Sequence, residues 1–191
     1  NLTRGQRYWF RVGAVRGWED HLERSPLTAQ FDHAPRPEFT REIGELWQAG
    51  RGDGLDLSSG WVRALDPDDA SGLPLVDAYL GTADPLDGAG GGEEPAPLRL
   101  KSVSALANRN PAWAARGVGL KRLGTNWDVG PIADDGWGES VDVVEGAVYA
   151  LKTPEGNFAK LLVIEVHGLV HPYRRVTIRW AYQLLADYPK V

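Results

Sequence analysis

The chain of 191 residues contains no cysteine and no methionine. Without cysteine there is no disulfide framework, no zinc ribbon, no thiolate nucleophile and no cysteine-held iron–sulfur cluster. Metal or haem could be held only through His, Asp, Glu, Tyr or backbone oxygen. Sulfur side chains are the most easily oxidised, so their absence suits a long-lived extracellular protein, and it suits a thermophile as well. We expect an extracellular or cell-surface location. A first residue of Asn1 reads as a processed chain or a piece of a longer one, and Asn1-Leu2-Thr3 is a glycosylation sequon in a host that modifies it.

A basic surplus is missing too. Against 26 Asp and Glu stand 21 Lys and Arg, a net charge of −5, which excludes the basic surface on which nucleic-acid affinity depends. No apolar run approaches the roughly 20 residues needed to span a bilayer as a helix. Recognisable catalytic constellations are also lacking. Ser58, Ser59, Ser102 and Ser104 have no elbow glycines around them, and there is neither a phosphate-binding Gly-Lys-Ser/Thr loop nor a His-Glu-x-x-His helix. Asp128 and Glu139 could act as general acid and base, but any acidic chain contains such pairs. The expectation is no enzyme.

What is present is strand patterning. In Tyr8-Trp9-Phe10-Arg11-Val12-Gly13-Ala14, the residues Tyr8, Phe10, Val12 and Ala14 fall on one face of a strand, and Ser25 to Phe31 reads as a second strand. Asp32 to Phe39 is a proline-marked linker, after which Thr40 could cap a short helix carrying Ile43, Leu46 and Trp47 and stopping at Gly50. Strands are expected at Val76–Leu80 and Leu98–Val103, with Asp66 to Gly92 otherwise turn-rich and Asn108 to Gly138 irregular. The clearest signal is C-terminal: Ala147–Thr153, a Pro154-Glu155-Gly156-Asn157 turn, Phe158–Val166, and Val176–Leu184, a three-stranded antiparallel meander. Its last strand puts Val176, Ile178, Trp180 and Tyr182 on one face and Thr177, Arg179 and Gln183 on the other.

The spacing Leu2-x5-Tyr8-x-Phe10-x-Val12-x-Ala14-Val15 resembles the E–F corner and F strand of a fibronectin type III domain, where a tyrosine hydroxyl bonds back to the corner backbone, and Ser25–Phe31 then looks like strand G. Further on, Tyr149-Ala150-Leu151-Lys152-Thr153-Pro154-Glu155-Gly156-Asn157-Phe158-Ala159-Lys160-Leu161 with Thr177-Ile178-Arg179-Trp180-Ala181-Tyr182-Gln183 resembles the C-terminal signature of the HmuY-like family of secreted bacterial β proteins. Leu55-Asp56-Leu57-Ser58-Ser59-Gly60 and Val76-Asp77-Ala78-Tyr79 look like that family's opening strands. The resemblance implies a secreted or cell-surface, mostly β chain. Residues 1–32 would be a partial fibronectin type III-like sandwich (strands E–G), residues 33–51 a linker and short helix, and residues 52–191 a HmuY-like antiparallel β domain ending in the meander.

Such a partial sandwich lacks strands A to D: either the chain is a fragment of a longer protein, the reading we favour, or the missing face comes from the other domain or from another chain, in which case Tyr8, Phe10 and Val12 form a candidate assembly surface for another copy or another surface protein. That points to a structural or adhesive module. The alternative is a secreted ligand-binding module. The best-known HmuY-like proteins bind haem through paired histidines; the present chain has four histidines and no local match to those ligands. His167, His171 and Tyr173 could still hold a metal or cap a haem, or simply bond to backbone and water in a solvated loop. Asp66, Asp68 and Asp69 could contribute to a calcium site, although the same Asp-Pro steps build ordinary turns. Eight tryptophans could offer glycan platforms; Trp9, Trp61 and Trp180 read as core and Trp113, Trp127 and Trp137 as the candidates for exposure. Arg51-Gly52-Asp53 matches the integrin tripeptide and reads as coincidence in a chain rich in Arg, Gly and Asp.

Overall fold

The computed structural model describes residues 2–4, 6–18, 21–28, 30–33, 36–46, 52–71, 76–82, 97–128, 130–168, 173–189 and 191, with side chains for all of these except 15–18, 21–24 and 31–33. Four short strands come first: β1 (Tyr8–Phe10), β2 (Val15–Trp18), β3 (His21–Arg24) and β4 (Phe31–His33). They form a narrow ribbon in which β1 pairs antiparallel with β4 and β2 with β3. Between the two ladders, hydroxyls stand in for strand partners: the backbone N–H of Val12 donates to Thr28 Oγ1 at 2.9 Å and that of Ala14 to Ser25 Oγ at 2.8 Å. The expected second strand therefore starts as an irregular Ser/Thr-bonded segment and becomes regular only at Phe31. At the other end, the Thr3 N–H donates to the Tyr8 hydroxyl at 2.7 Å, closing a corner five residues wide.

The rest of the chain builds two antiparallel five-stranded sheets. After β5 (Glu38–Gly44) come β6 (Gly54–Asp56), β7 (Trp61–Arg63), β8 (Ala78–Thr82), β9 (Leu98–Ser102), β10 (Gly119–Gly124), β11 (Ser140–Asp142), β12 (Val148–Lys152), β13 (Phe158–His167) and β14 (Arg175–Tyr182). One sheet runs β10-β12-β13-β14-β5 and the other β11-β9-β8-β6-β7. The meander is thus the centre of the first sheet.

Alternation decides which side chains meet. Ala159, Leu161 and Val163 of β13 and Val176, Ile178, Trp180 and Tyr182 of β14 pack with Leu55, Leu57, Ala78, Leu80, Leu98 and Leu100 of the opposite sheet into one core. Each such aliphatic side chain, when fully buried, contributes about 1.5–3 kcal/mol relative to exposure. The Trp180 indole N–H donates across the interface to the Leu57 carbonyl at 3.0 Å, which satisfies the one polar atom of that buried ring. At the β12–β13 turn, Gly156 adopts φ +85°, while the Thr153 N–H donates to Asn157 at 2.9 Å and the Gly156 N–H to Thr153 at 3.0 Å.

One expected element is corrected. Residues 38–44 are the edge strand β5, paired over seven registers with β14, and not the start of a helix. Ile43, Leu46 and Trp47 fit a helical stripe, but Phe39, Thr40 and Ile43 are aromatic or β-branched, and an open edge on β14 offered backbone partners that an isolated short helix could not match. The strand lies inside the segment read as linker. At its end the chain changes sheets within two residues: the Glu45 N–H donates to Arg174 at 3.0 Å and the Leu46 N–H to Leu80 at 2.8 Å.

A second correction concerns tryptophan. Trp180 is core, but Trp61 is 64% exposed and Trp9 is 59% exposed, because their strand neighbours, Val62 in one case and Tyr8 and Phe10 in the other, hold the better-covered positions of the alternation. Trp113, read as a candidate for exposure, is fully buried, its indole N–H donating to Pro67 at 2.9 Å. Trp127 and Trp137 are half-buried.

Candidate functional site

The outer face of the meander sheet carries the densest grouping of charged and aromatic side chains. One register row crosses all five strands: Lys121 opposite Ala150, Ala150 opposite Lys160, Lys160 opposite Ala181, and Ala181 opposite Glu38. Charged residues alternate with alanines, and both alanines are buried under a cluster that includes Phe158, Ile132, Trp127 and Trp137. Residues 126–138 lay the two indoles on this face. The Lys121 ammonium sits 4.5 Å from the Trp137 ring centre, Lys160 lies 4.9 Å and Arg179 4.7 Å from that of Trp127, and Lys152 lies 5.4 Å from Phe158. Each of these distances is within cation–π range.

Most of these cations also have oxygen partners. Lys121 donates to the carbonyls of Ala133 and Asp135, and Lys152 to Asp134 at 2.8 Å. Asp134 in turn accepts from the Trp137 indole at 3.0 Å, and the two bonds hold its carboxyl below the usual carboxylate range. Arg179 donates to Glu38 at 2.6 Å. Lys160 is different. Only 3% exposed, it makes no hydrogen bond or ion pair from its ammonium, and its pKa is lowered chiefly by burial, with Arg36 and Arg179 adding to the effect and Asp128 and Glu38 opposing it. Beside this face, between β10 and β11, lies an open cleft of about 540 Å³ bounded by Arg122, Asp135 and Ser140 among others.

The residues expected from sequence are scattered. His167, at the end of β13, has both ring nitrogens occupied, Nε2 with Thr177 Oγ1 at 3.2 Å and Nδ1 near Glu165 at 3.4 Å; Tyr173 is exposed, and His171 lies outside the described residues. Asp66 accepts from the Asp68 N–H at 2.9 Å, Asp68 is held by Arg109 through two bonds of 2.9 and 2.7 Å, and Asp69 caps Ser71. Among the described residues, no group of three or more His, Asp or Glu is close enough to hold a metal ion. Of the assembly residues, Tyr8 and Phe10 are half-buried and Val12 is 56% exposed. Asp53 of the Arg-Gly-Asp triplet is buried, accepting from the Leu65 N–H at 2.7 Å, so its carboxylate is not offered to a partner.

A second polar group surrounds Asp77. Asp77 accepts from the Leu57 N–H at 2.8 Å; burial pushes its carboxyl up to about 7, with the nearby carboxylates of Asp56 and Glu155 adding to the rise. Tyr182 beside it is pushed up to about 12 by burial and by Asp77.

Sequence reading missed Lys160 and Trp127 as a pair. The alternation that sends Leu161 inward also sends Lys160 outward, but nothing local announces that a loop more than thirty residues upstream returns to cover it. Comparison of the chain with family models, curated proteins and solved structures finds no match.

Proposed function

We propose that the chain is a non-enzymatic extracellular structural or adhesive surface module: a fibronectin type III-like ribbon completed by another β surface, followed by a HmuY-like β-sandwich. The observation that carries this reading is the ribbon. A two-stranded ribbon is marginal by itself in water, and here Trp9, Val12 and Leu27 are 59%, 56% and 62% exposed. The Tyr8 corner supports the fibronectin-like part of the reading. Completion by a second copy makes association concentration-dependent. Sedimentation velocity of the intact chain should show it, and the Trp9→Ser, Val12→Ser double variant should lose it. A parent that stays monomeric up to high concentration ends the self-assembling version.

The alternative, a secreted module that binds haem, metal or glycan, is favoured in its glycan form by the indoles and cations on the outer face of the meander sheet. In its haem form it depends on His167, His171 and Tyr173. A haem titration without a Soret shift ends that form.

A further inference from the structure

We infer that Lys160, flanked by Arg36 and Arg179 beneath Trp127, is an anion subsite that takes the carboxylate or sulfate of an acidic sugar. The inference rests on the ligand-binding alternative above and is independent of whether the ribbon assembles.

An ammonium has three donors, and burying it without an acceptor is unfavourable, so folded proteins avoid the arrangement unless something else requires it. Lys160 is 3% exposed; its ammonium makes no hydrogen bond to the protein, lies over the face of Trp127 and keeps an edge to solvent, the side from which an anion could reach it. The other two lysines on the same sheet face, Lys121 and Lys152, both reach oxygens. The surroundings do not neutralise it. Of the charges that act on Lys160, two cations (Arg36, Arg179) stand against two carboxylates (Glu38, Asp128), so its own charge is not offset. Glu38 is already engaged, 2.6 Å from Arg179 and 3.8 Å from Arg36. On either side of Lys160 the row offers only the methyl groups of Ala150 and Ala181, so no neighbouring strand supplies an acceptor. A monoanion beside the Lys160 ammonium would offset it.

The surrounding surface selects the class of ligand. Lys160 and Arg179 lie on β13 and β14, interior strands with both edges paired, so an acidic peptide could not add to the sheet as a further strand. Two half-buried indoles on the same face, Trp127 and Trp137, present the kind of surface on which the C–H face of a pyranose stacks. A negatively charged sugar combines the two chemistries. Uronate and sulfated sugars share this pairing and differ in the anion.

The test follows tryptophan fluorescence of the intact chain during titration with an oligogalacturonate, a sulfated heparin-type oligosaccharide, a neutral malto-oligosaccharide of equal length and an oligoglutamate peptide, at low and high salt. We expect a saturable change with at least one acidic sugar and none with the neutral sugar or the peptide; which acidic sugar binds tells carboxylate from sulfate. Lys160→Met should weaken binding by about tenfold or more, the loss of one charge-assisted hydrogen bond, while Lys160→Arg retains it. Thermal melting separates this role from a structural one: Lys160→Met should melt at or above the parent temperature, because a largely buried ammonium with no acceptor on the protein is replaced by an apolar side chain of similar volume. Arg179→Gln, at the exposed rim, serves as a second weakening variant should Lys160→Met fail to fold. No saturable change with either acidic sugar, equal affinity in the variants, or peptide binding as tight as sugar binding would each overturn the inference. Saturable binding of the neutral sugar alone would overturn it and leave the glycan reading standing.

Discussion

The carboxylate of Glu45 and the guanidinium of Arg174 meet in a two-pronged ion pair, Nε to Oε2 at 3.0 Å and Nη2 to Oε1 at 2.5 Å, across 129 residues of sequence. Both side chains are buried, and the Glu45 N–H donates to the Arg174 carbonyl as well. The pair sits where the chain leaves one sheet for the other. Glu45→Ala removes the carboxylate facing a buried guanidinium and should cost about 3–5 kcal/mol, whereas Glu45→Ala with Arg174→Met should recover much of that, since an apolar pair carries no desolvation penalty. Urea unfolding of the three proteins measures both numbers. A double variant no more stable than the single would show that the pair is worth more than its desolvation.

Asp77 sets a pH dependence with a definite sign. Its carboxyl titrates near 7 in the folded chain and near the ordinary 3.8 when unfolded, so between these values the folded state holds the extra proton. Stability is therefore greatest below the unfolded value and falls as pH rises through the folded one, by at most about 4 kcal/mol. Asp77→Asn keeps an acceptor for the Leu57 N–H and has no proton to lose. Unfolding curves at pH 5 and 8 should show the parent losing stability relative to the variant; parallel behaviour would remove Asp77 as the cause.

Gly60 is irreplaceable for a steric reason. It adopts φ +79°, and a Cβ built there would lie 2.3 Å from the Phe39 ring, which packs on Trp180 with ring centres 5.2 Å apart. Gly60→Ala should lower stability by roughly 2 kcal/mol or more, combining strain in the left-handed region with displacement of a core aromatic. Near-ultraviolet circular dichroism should change as well, since the affected rings are Phe39 and Trp180.

Tyr8→Phe removes the hydroxyl to which the Thr3 N–H donates. The expected cost is about 1 kcal/mol, confined to the ribbon, because the Tyr8 hydroxyl bonds only within the corner, to the Thr3 N–H and Gln6, among the described residues. Faster amide exchange at Thr3 with unchanged exchange in β12 to β14 is the expected pattern. Loss of protection throughout would mean that ribbon and sandwich unfold as one unit.

Much of the fold was legible because period-2 alternation is a local property. The three meander strands, the Gly156 turn and the inward set Val176, Ile178, Trp180 and Tyr182 all follow from neighbours a few residues apart. β5 was not, because its partner Arg175–Tyr182 lies over a hundred residues away and a strand edge is not written in the segment that fills it. The phase of alternation in short strands was equally hidden: β7 has three residues, so whether Trp61 or Val62 faces inward is decided by the partner sheet. The outer-face grouping required knowing that Trp127 and Trp137 return to the sheet, and a loop's path is set by where its ends are held.

The register row from Lys121 to Glu38 has one further consequence, for how the sheet assembles. A slip of one residue in β13 would turn Lys160 toward the sandwich interior and Leu161 outward, exchanging an ammonium for a leucine in the core between the two sheets. The mispaired sheet would be penalised at its centre and not merely at its rim. Lys160 thus acts as a proofreading residue against one-residue slips: an ammonium tolerated on the outer face is intolerable on the inner one.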